Sequence, residues 1–163
     1  MRTYVSFKNT YTLENYVNIH DIPLSWRKLY CSYRISCHNL EIERGRYARP
    51  HIPPHLRFCK LCHSEAETEM HFVLSCNIYH DLREKLFNIC VLHIDNFMSL
   101  NNDSKFQYLL DSSHDNVIRS VMAYIYQADQ RRKVLLSVCW IIVMCIIYET
   151  YHIRSSHECL CKF

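Results

Sequence analysis

Four residues in the middle of the chain have the types and spacing of metal ligands. They follow the pattern Cys59-x2-Cys62-x8-His71-x4-Cys76. A Cys-x-x-Cys step lets two thiolates hold one ion from a tight turn, and an imidazole with a third thiolate completes a closed tetrahedron. Because the protein fills all four positions, none remains for an activated water. The pattern therefore predicts one structural Zn²⁺ ion, which contributes on the order of 10 kcal/mol to folding.

The alternative is that the cysteines of the Cys-x-x-Cys step are ordinary buried thiols and that His71 is a core histidine. Four ligands in order, in a chain without a secretory signal, favour the metal site over that interpretation. His63 competes with His71 as the third ligand, but it adjoins Cys62, which makes joint ligation awkward. The apolar residues expected to pack around the ion are Phe58, Leu61, Phe72 and Leu74.

The chain has ten cysteines, a number that also occurs in secreted proteins built on disulfides. Its first residues, Met1 to Lys8, lack the continuous apolar core of a signal peptide. Together with the ligand pattern, this predicts an intracellular protein of the cytoplasm or nucleus, whose cysteines stay reduced.

The segment that leads into the first cysteine pair is basic. Residues 27–60 carry eight basic and two acidic residues, a net charge of +6, whereas the whole chain carries +3 and the remainder therefore −3. Such a segment is typical of a polyanion-binding surface, in which each Arg that reaches a phosphate adds salt-dependent affinity. Tyr33, Tyr47 and Phe58 lie among the arginines, where rings can stack on unpaired bases. The alternative is a solvated loop that pairs with its two glutamates.

The elements that must position these residues are expected to be helical. One Gly and four Pro argue against an all-β fold and exclude a Gly-rich phosphate loop. Apolar periodicity predicts helices at about Ser25–Ile35, Ile78–Cys90, Ser104–Leu110 and Asn116–Arg132, with Asn116 as a cap and Val117, Val121, Ile125 and Ala128 on one face. Ser36–Arg46 alternates apolar and charged residues, which predicts a short extended piece ending at Gly45. The predicted fold is mainly α: a small zinc-stapled knuckle with flanking amphipathic helices and a C-terminal apolar helix.

The expected domains are a basic N-terminal segment with a short helix (1–57), the zinc knuckle with its helices (58–133), and an apolar helix with a cysteine-containing tail (134–163). Val134–Tyr148 is apolar except for Ser137, but as a helix it spans about 22 Å, less than the roughly 30 Å of hydrocarbon in a bilayer. Extension over 134–153 makes a membrane anchor one alternative, and a buried helix is the other. His157, Cys159 and Cys161 are weak candidates for a second metal site.

Three stretches, Arg34–Tyr47, Arg57–Cys62 and Glu69–Cys76, together resemble the C-terminal zinc-binding region of reverse transcriptases from non-LTR (LINE-type) retrotransposons. Asn116–Arg132 also resembles the helix that closes this region in animal copies, so the resemblance covers roughly residues 1–133. The four predicted ligands match those of the family. The residues that match its basic run are Arg34, His38, Glu43, Arg44, Gly45 and Arg46.

The resemblance implies a module that follows the polymerase domain and helps to bind RNA or target DNA. The polymerase itself is missing, because Tyr126-Gln-Ala-Asp129 lacks the second Asp of a two-metal site and lies on the surface of a predicted helix. We therefore predict no enzyme and no small-molecule substrate, but a non-catalytic nucleic-acid-binding zinc module, a detached C-terminal fragment of such a reverse transcriptase. The predicted nucleic-acid contacts are Arg34, His38, Arg44, Arg46, Arg49, Arg57 and Lys60. The competing prediction is a zinc-stapled protein-interaction module, tail-anchored in a membrane through 134–153.

Overall fold

Helices make up most of the chain that the computed structural model describes, namely residues 2–8 and 13–158, with side chains at 3–5, 8, 13–138 and 141. The α-helices are α1 (Arg2–Phe7), α2 (Leu24–Arg34), α3 (Glu41–Tyr47), α4 (His80–Val91), α5 (Asn102–Leu110) and α6 (Asp115–Glu158). Shorter helical turns lie at Asn15–Asn18, Pro54–Leu56, His71–Ser75, Asn77–Tyr79 and Phe97–Ser99. The described residues contain no strand, only an isolated antiparallel bridge between Phe58 and Ala66. The prediction of a mainly α fold is therefore confirmed.

The helices predicted from periodicity lie close to where they were expected. α2 and α4 begin within two residues of the predicted positions, and α5 begins after Asn101, whose side chain accepts a hydrogen bond from the Ser104 amide at 2.8 Å. α6 begins at Asp115, so Asn116 lies inside the helix and the prediction that it is the cap was wrong. α6 also continues past the predicted end at Arg132, because no Gly or Pro follows Pro54 to interrupt it.

The extended piece predicted for Ser36–Arg46 was wrong, because its second half forms α3. The helix begins where a carboxylate from elsewhere in the chain meets its first amide: Glu67 Oε2 accepts a hydrogen bond from the Glu41 backbone N–H at 2.8 Å. The Ile42 amide also donates to the Glu67 carbonyl, at 3.3 Å. A tertiary contact thus satisfies two of the orphan amides at the start of the helix, and the local sequence carries no sign of it.

Gly45 lies within α3 and leaves room for a side chain from the following loop. A Cβ atom at this position would lie 2.7 Å from both Cγ and Cδ of Arg57. Arg57 is buried there, donating from Nε to the Ile52 carbonyl at 2.8 Å and from Nη1 to the Ile42 carbonyl. The single glycine therefore serves the packing of an arginine and does not end a strand.

The chain divides into two compact units, residues 1–129 and 130–163. The core of the first unit includes the predicted apolar face of α6, whose four members, Val117, Val121, Ile125 and Ala128, are all fully buried. Leu109 and Leu110 of α5 and Leu86 of α4 are buried in the same cluster. Tyr30 of α2 joins it, with its hydroxyl donating to the Leu110 carbonyl at 2.9 Å. Hydrophobic burial is thus the main contribution to the stability of this part.

The second unit contains the C-terminal part of α6. Among the described residues, no helix is long and apolar enough to cross a membrane. The side chains of residues 142–153, on which much of the predicted membrane anchor depends, lie outside the described residues, as do Cys159, Cys161 and the side chain of His157.

Candidate metal centre

A short hairpin carries the first two predicted ligands. The Cys59 amide donates to the Glu65 carbonyl at 3.0 Å, and the Glu67 amide donates to the Arg57 carbonyl at 2.8 Å. Within the turn, the His63 amide donates to the Cys59 carbonyl at 2.9 Å. These backbone bonds fold the chain back on itself, so that the two cysteines of the Cys-x-x-Cys step face one point.

The other two ligands are brought together by a π-helical turn, His71–Ser75. The Cys76 amide donates to the His71 carbonyl at 2.8 Å, an i to i+5 bond. Such a wide turn places residues five apart on the same side, whereas an α-helix would separate them. Thr68 lies three residues before this turn, and its hydroxyl accepts a hydrogen bond from the His71 amide at 3.0 Å. We call residues 57–76, the hairpin and this turn, the metal-binding segment.

The structure places the ligand atoms of Cys59, Cys62, His71 and Cys76 within 4.8 Å of one another. A tetrahedral ion bound to thiolate and imidazole separates its ligands by about 3.5–3.8 Å, given bond lengths of about 2.3 and 2.0 Å. Cys62 Sγ and His71 Nε2 are already 3.3 Å apart. These four residues can therefore hold one metal ion. Cys62 is the one partly exposed ligand of the four.

Groups around the four ligands complete the site. His71 Nδ1 lies 2.7 Å from Glu65 Oε1, so this nitrogen carries the proton and Nε2 faces the thiolates. The amides of Leu61 and Cys62 donate to the sulfur of Cys59. These contacts hold the imidazole in one orientation and place N–H dipoles against a thiolate, as a closed metal site requires.

The same contacts set the protonation of the ligand groups. A hydrogen bond with Cys76 and burial raise the pKa of Cys59 to about 12, while the same bond lowers the pKa of Cys76. Burial disfavours the charged form of His71, but its hydrogen bonds with Cys59 and Glu65 outweigh this and raise its pKa to about 9. A bound cation would displace the protons of the thiols and of His71 Nε2, while His71 Nδ1 would keep its proton toward Glu65.

Neighbouring helices hold the metal-binding segment in place. Arg83 of α4 is buried, and it donates from Nε to the Val73 carbonyl at 3.0 Å and from Nη2 to the Cys76 carbonyl. Glu69 accepts a hydrogen bond from Thr3 Oγ1 at 2.6 Å and pairs with His38 Nε2 at 2.9 Å. The last ligand and the turn before His71 are therefore each fastened by a charged side chain.

The expected apolar surroundings of the ion are only partly present. Phe72 is fully buried and packs against Tyr33 and Tyr79, with ring centroids 5.0 and 4.9 Å away. Leu61 and Leu74 are partly buried against the core. Phe58 is 45% exposed, so the prediction that it packs around the ion was wrong. His63, the competing ligand, is exposed and lies outside the cluster.

Three of the predicted nucleic-acid contacts are structural, and for them the prediction was wrong. Arg34 is buried, with Nη2 2.7 Å from Glu14 Oε2 and its guanidinium over the rings of Tyr4, Tyr16 and Tyr30. The His38 side chain is buried against Glu69, and Arg57 is buried behind α3. A count of charges cannot distinguish such residues from exposed ones, because the residue type is the same whether the side chain is buried with a partner or exposed.

The other four predicted contacts, which we call the basic surface, are exposed: Arg44, Arg46, Arg49 and Lys60. Arg44 Nη1 and Lys60 Nζ approach the same atom, Glu41 Oε1, at 3.3 and 3.2 Å. Arg46 Nη1 lies 3.5 Å from Glu43 Oε2. Glu41 and Glu43 thus pair with these cations, as the solvated-loop interpretation expects. Their side chains are only 11% and 5% exposed, however, so the cations lie outermost.

No protein-family model, curated protein or solved structure matches this chain. We therefore infer its function from its own residues, first from the ligand cluster and then from the exposed cations beside it.

Sequence reasoning missed Glu65 and Arg83, which support the ligands. Glu65 lies between the second and third ligands, and a carboxylate is a recurrent partner of a metal-bound histidine. Its contact with His71 could therefore have been predicted from the sequence. Arg83 carried no signal, because only the packing of α4 brings its side chain to the Cys76 carbonyl.

Proposed function

We propose that this chain is a non-catalytic nucleic-acid-binding module stapled by one zinc ion. Three thiolates and one imidazole are a ligand set that suits zinc, and a closed set leaves no position for catalysis. The observation that carries the proposal is that Lys60 of the metal-binding segment and Arg44 of α3 meet at one carboxylate oxygen of Glu41. The metal site thereby adds a cation to the surface of α3 and keeps it there.

Charge supports an anionic partner. Three of the four cations of the basic surface, Arg44, Arg46 and Lys60, pair with Glu41 or Glu43, and the side chains of these two glutamates are largely buried. A phosphate backbone can approach the outward side of these cations, releasing about one counterion for each contact. α3 and the hairpin contain no Asn or Gln, and contacts between cations and phosphates carry no sequence information, so we propose binding with little sequence preference.

The resemblance to the zinc-binding region of LINE-type reverse transcriptases supports the same function and suggests an origin. We propose that the chain derives from the C-terminal zinc-binding region of such a protein. Arg44 and Arg46, which match the family's basic run, are among the exposed cations.

Binding of labelled RNA and DNA oligonucleotides, followed by fluorescence anisotropy between about 50 and 200 mM salt, tests the proposal. Four phosphate contacts give a slope of log affinity against log salt of about −3. Arg44→Gln and Lys60→Gln should each make this slope shallower by about one. Lys85→Gln, a change of an exposed lysine on α4, is the matched control and should leave the slope unchanged. Undetectable binding at the lowest salt would refute the proposed function.

A second candidate function, protein binding, rests on the exposed apolar side chains of α6. Val134, Val138 and Ile141 recur at i, i+4 and i+7 and are all exposed, as in a helix that packs against a partner. If this is the function, Val138→Asp should abolish the complex with the protein that binds this face of α6, while leaving oligonucleotide binding unchanged. Light scattering and anisotropy on the same samples separate the two.

A further inference from the structure

Two aromatic rings stand exposed beside the basic surface. Tyr47 is 74% exposed and Phe58 is 45% exposed. By contrast, Tyr33, Phe72 and Tyr79 are buried in the core, as large aromatic side chains usually are. Leaving rings in water forgoes the free energy of burial, so exposed rings among cations point to a partner that covers them.

The rings and the cations share one face. On α3, Tyr47 lies three residues after Arg44 and so one turn along the same side of the helix. The Arg46 guanidinium lies 5.6 Å from the centre of the Tyr47 ring. In the hairpin, Phe58 and Lys60 flank the inward-facing Cys59, and both are exposed. Because Lys60 and Arg44 meet at Glu41, the surface runs from one ring to the other.

We infer that the nucleic acid bound here is an unpaired strand, whose bases stack on Tyr47 and Phe58 while the basic surface holds its phosphates. This inference rests on the proposed function. A duplex hides the faces of its bases between their neighbours, whereas an unpaired strand offers them to aromatic side chains. α3 has seven residues, about 10 Å of helix, and its first turn is fastened to Glu67, so it is poorly suited to entering a groove.

Four labelled probes of equal length test the inference on the zinc-loaded full chain: single-stranded RNA, single-stranded DNA, the corresponding DNA duplex, and an abasic DNA strand. The abasic strand keeps every phosphate but has no base to stack. We expect at least one single strand to bind about tenfold more tightly than either the duplex or the abasic strand. Whether RNA or DNA binds more tightly then identifies the source of the strand.

Substitutions test the two rings directly. Tyr47→Ala and Phe58→Ala should each weaken single-strand binding about tenfold while leaving abasic-strand binding unchanged. Tyr47→Phe keeps the ring and should retain binding. Leu92→Ala is the matched control, because Leu92 is an exposed apolar side chain at the end of α4, outside this face. One equivalent of zinc in every variant checks that the fold is retained.

The possible failures are distinguishable. Equal affinities for the single strand, the duplex and the abasic strand, with a steep salt dependence, would overturn the inference and leave the proposed function standing. The absence of binding to all four probes would overturn both. The probe comparison uses the unaltered chain, so it tests the preference for an unpaired strand even if a substitution disturbs folding.

Discussion

Different interactions stabilise two regions of the molecule. One is the metal-binding segment, and the other is the helical core that α4, α5 and α6 form up to residue 129. Many of the residues that the segment buries are charged or polar, such as Arg57, Glu67 and Glu69, and each has a hydrogen-bonding partner. The core buries mostly apolar side chains, such as Leu109 and Ile125. Burial of polar groups with partners adds little net stability, whereas apolar burial adds about 25 cal/mol per Å². The segment therefore depends on its metal in a way that the core does not.

The two regions meet next to a ligand. Phe72, the residue after His71, packs against Tyr33 and Tyr79, and the Tyr124 hydroxyl of α6 donates to its carbonyl at 2.7 Å. The segment is thus attached to the core both through the residue beside its third ligand and through Arg83 of α4, which donates to the Cys76 carbonyl.

Loss of the metal should have the largest effect. In Cys76→Ser, or after chelation, we expect the segment to lose on the order of 10 kcal/mol of metal-linked free energy and to open. Amide hydrogen exchange should then lose protection at residues 57–76 but keep it in α5 and in α6 up to residue 129. Cys37→Ser, a change of an exposed cysteine outside the cluster, is the control and should retain the metal. Loss of protection throughout the first unit would contradict the distinction between the regions.

A core truncation should have the next largest effect, in the opposite region. Ile125→Ala removes a fully buried side chain of α6 and should lower the free energy of unfolding by about 2–5 kcal/mol in denaturant titrations. Because Ile125 contributes no ligand atom to the metal site, the folded variant should still bind one equivalent of metal. Gln127→Ala, an exposed position on the same helix, should be nearly neutral. A variant that folds but no longer binds metal would show that the regions are not separable.

Removal of the Glu65 carboxylate should weaken the site without destroying it. Glu65→Ala leaves His71 Nδ1 without its partner, and we expect metal affinity to fall about tenfold, equivalent to about 1.4 kcal/mol. This is the low end of the usual range, because the Glu65 side chain is 56% exposed. Competition with a chromophoric chelator measures the change, with Glu84→Ala of α4 as the control. An unchanged affinity would mean that the hydrogen bond does not orient the imidazole.

The smallest effect concerns pH and the helical core. The hydrogen bond from Arg119 of α6 lowers the pKa of Asp21 below its usual 3.8. Because the folded pKa is depressed, the ion pair adds stability above the unfolded pKa and loses it as pH falls through the folded pKa. Both side chains are exposed to solvent, so the effect should be the weakest of the four. On chelated protein, the difference in thermal midpoint between the unaltered chain and Asp21→Asn should shrink between about pH 7 and pH 3. A constant difference would exclude the ion pair as its cause.

The ligand cluster and the main helices could be predicted from the sequence, because both are encoded over short distances. The Cys-x-x-Cys step and the five-residue step from His71 to Cys76 each fit within one turn of backbone. The apolar face of α6 repeats every three to four residues, so it needs no knowledge of the partner it packs against. Such local patterns predict structure reliably because the geometry of the backbone sets which nearby residues share a face.

Three features could not be predicted from the sequence, because each depends on distant parts of the folded chain: which cations are exposed, why a glycine stands at position 45, and that Glu41–Tyr47 is a helix. Arg34 and Arg44 are both arginines in the same basic segment. Glu14 and three tyrosines bury Arg34, whereas Arg44 remains at the surface. Gly45 makes room for Arg57, twelve positions later, and Glu67 bonds the first amide of α3 from 26 positions away. A partner so distant in the chain leaves no local pattern, because its contribution exists only once the chain has folded around it.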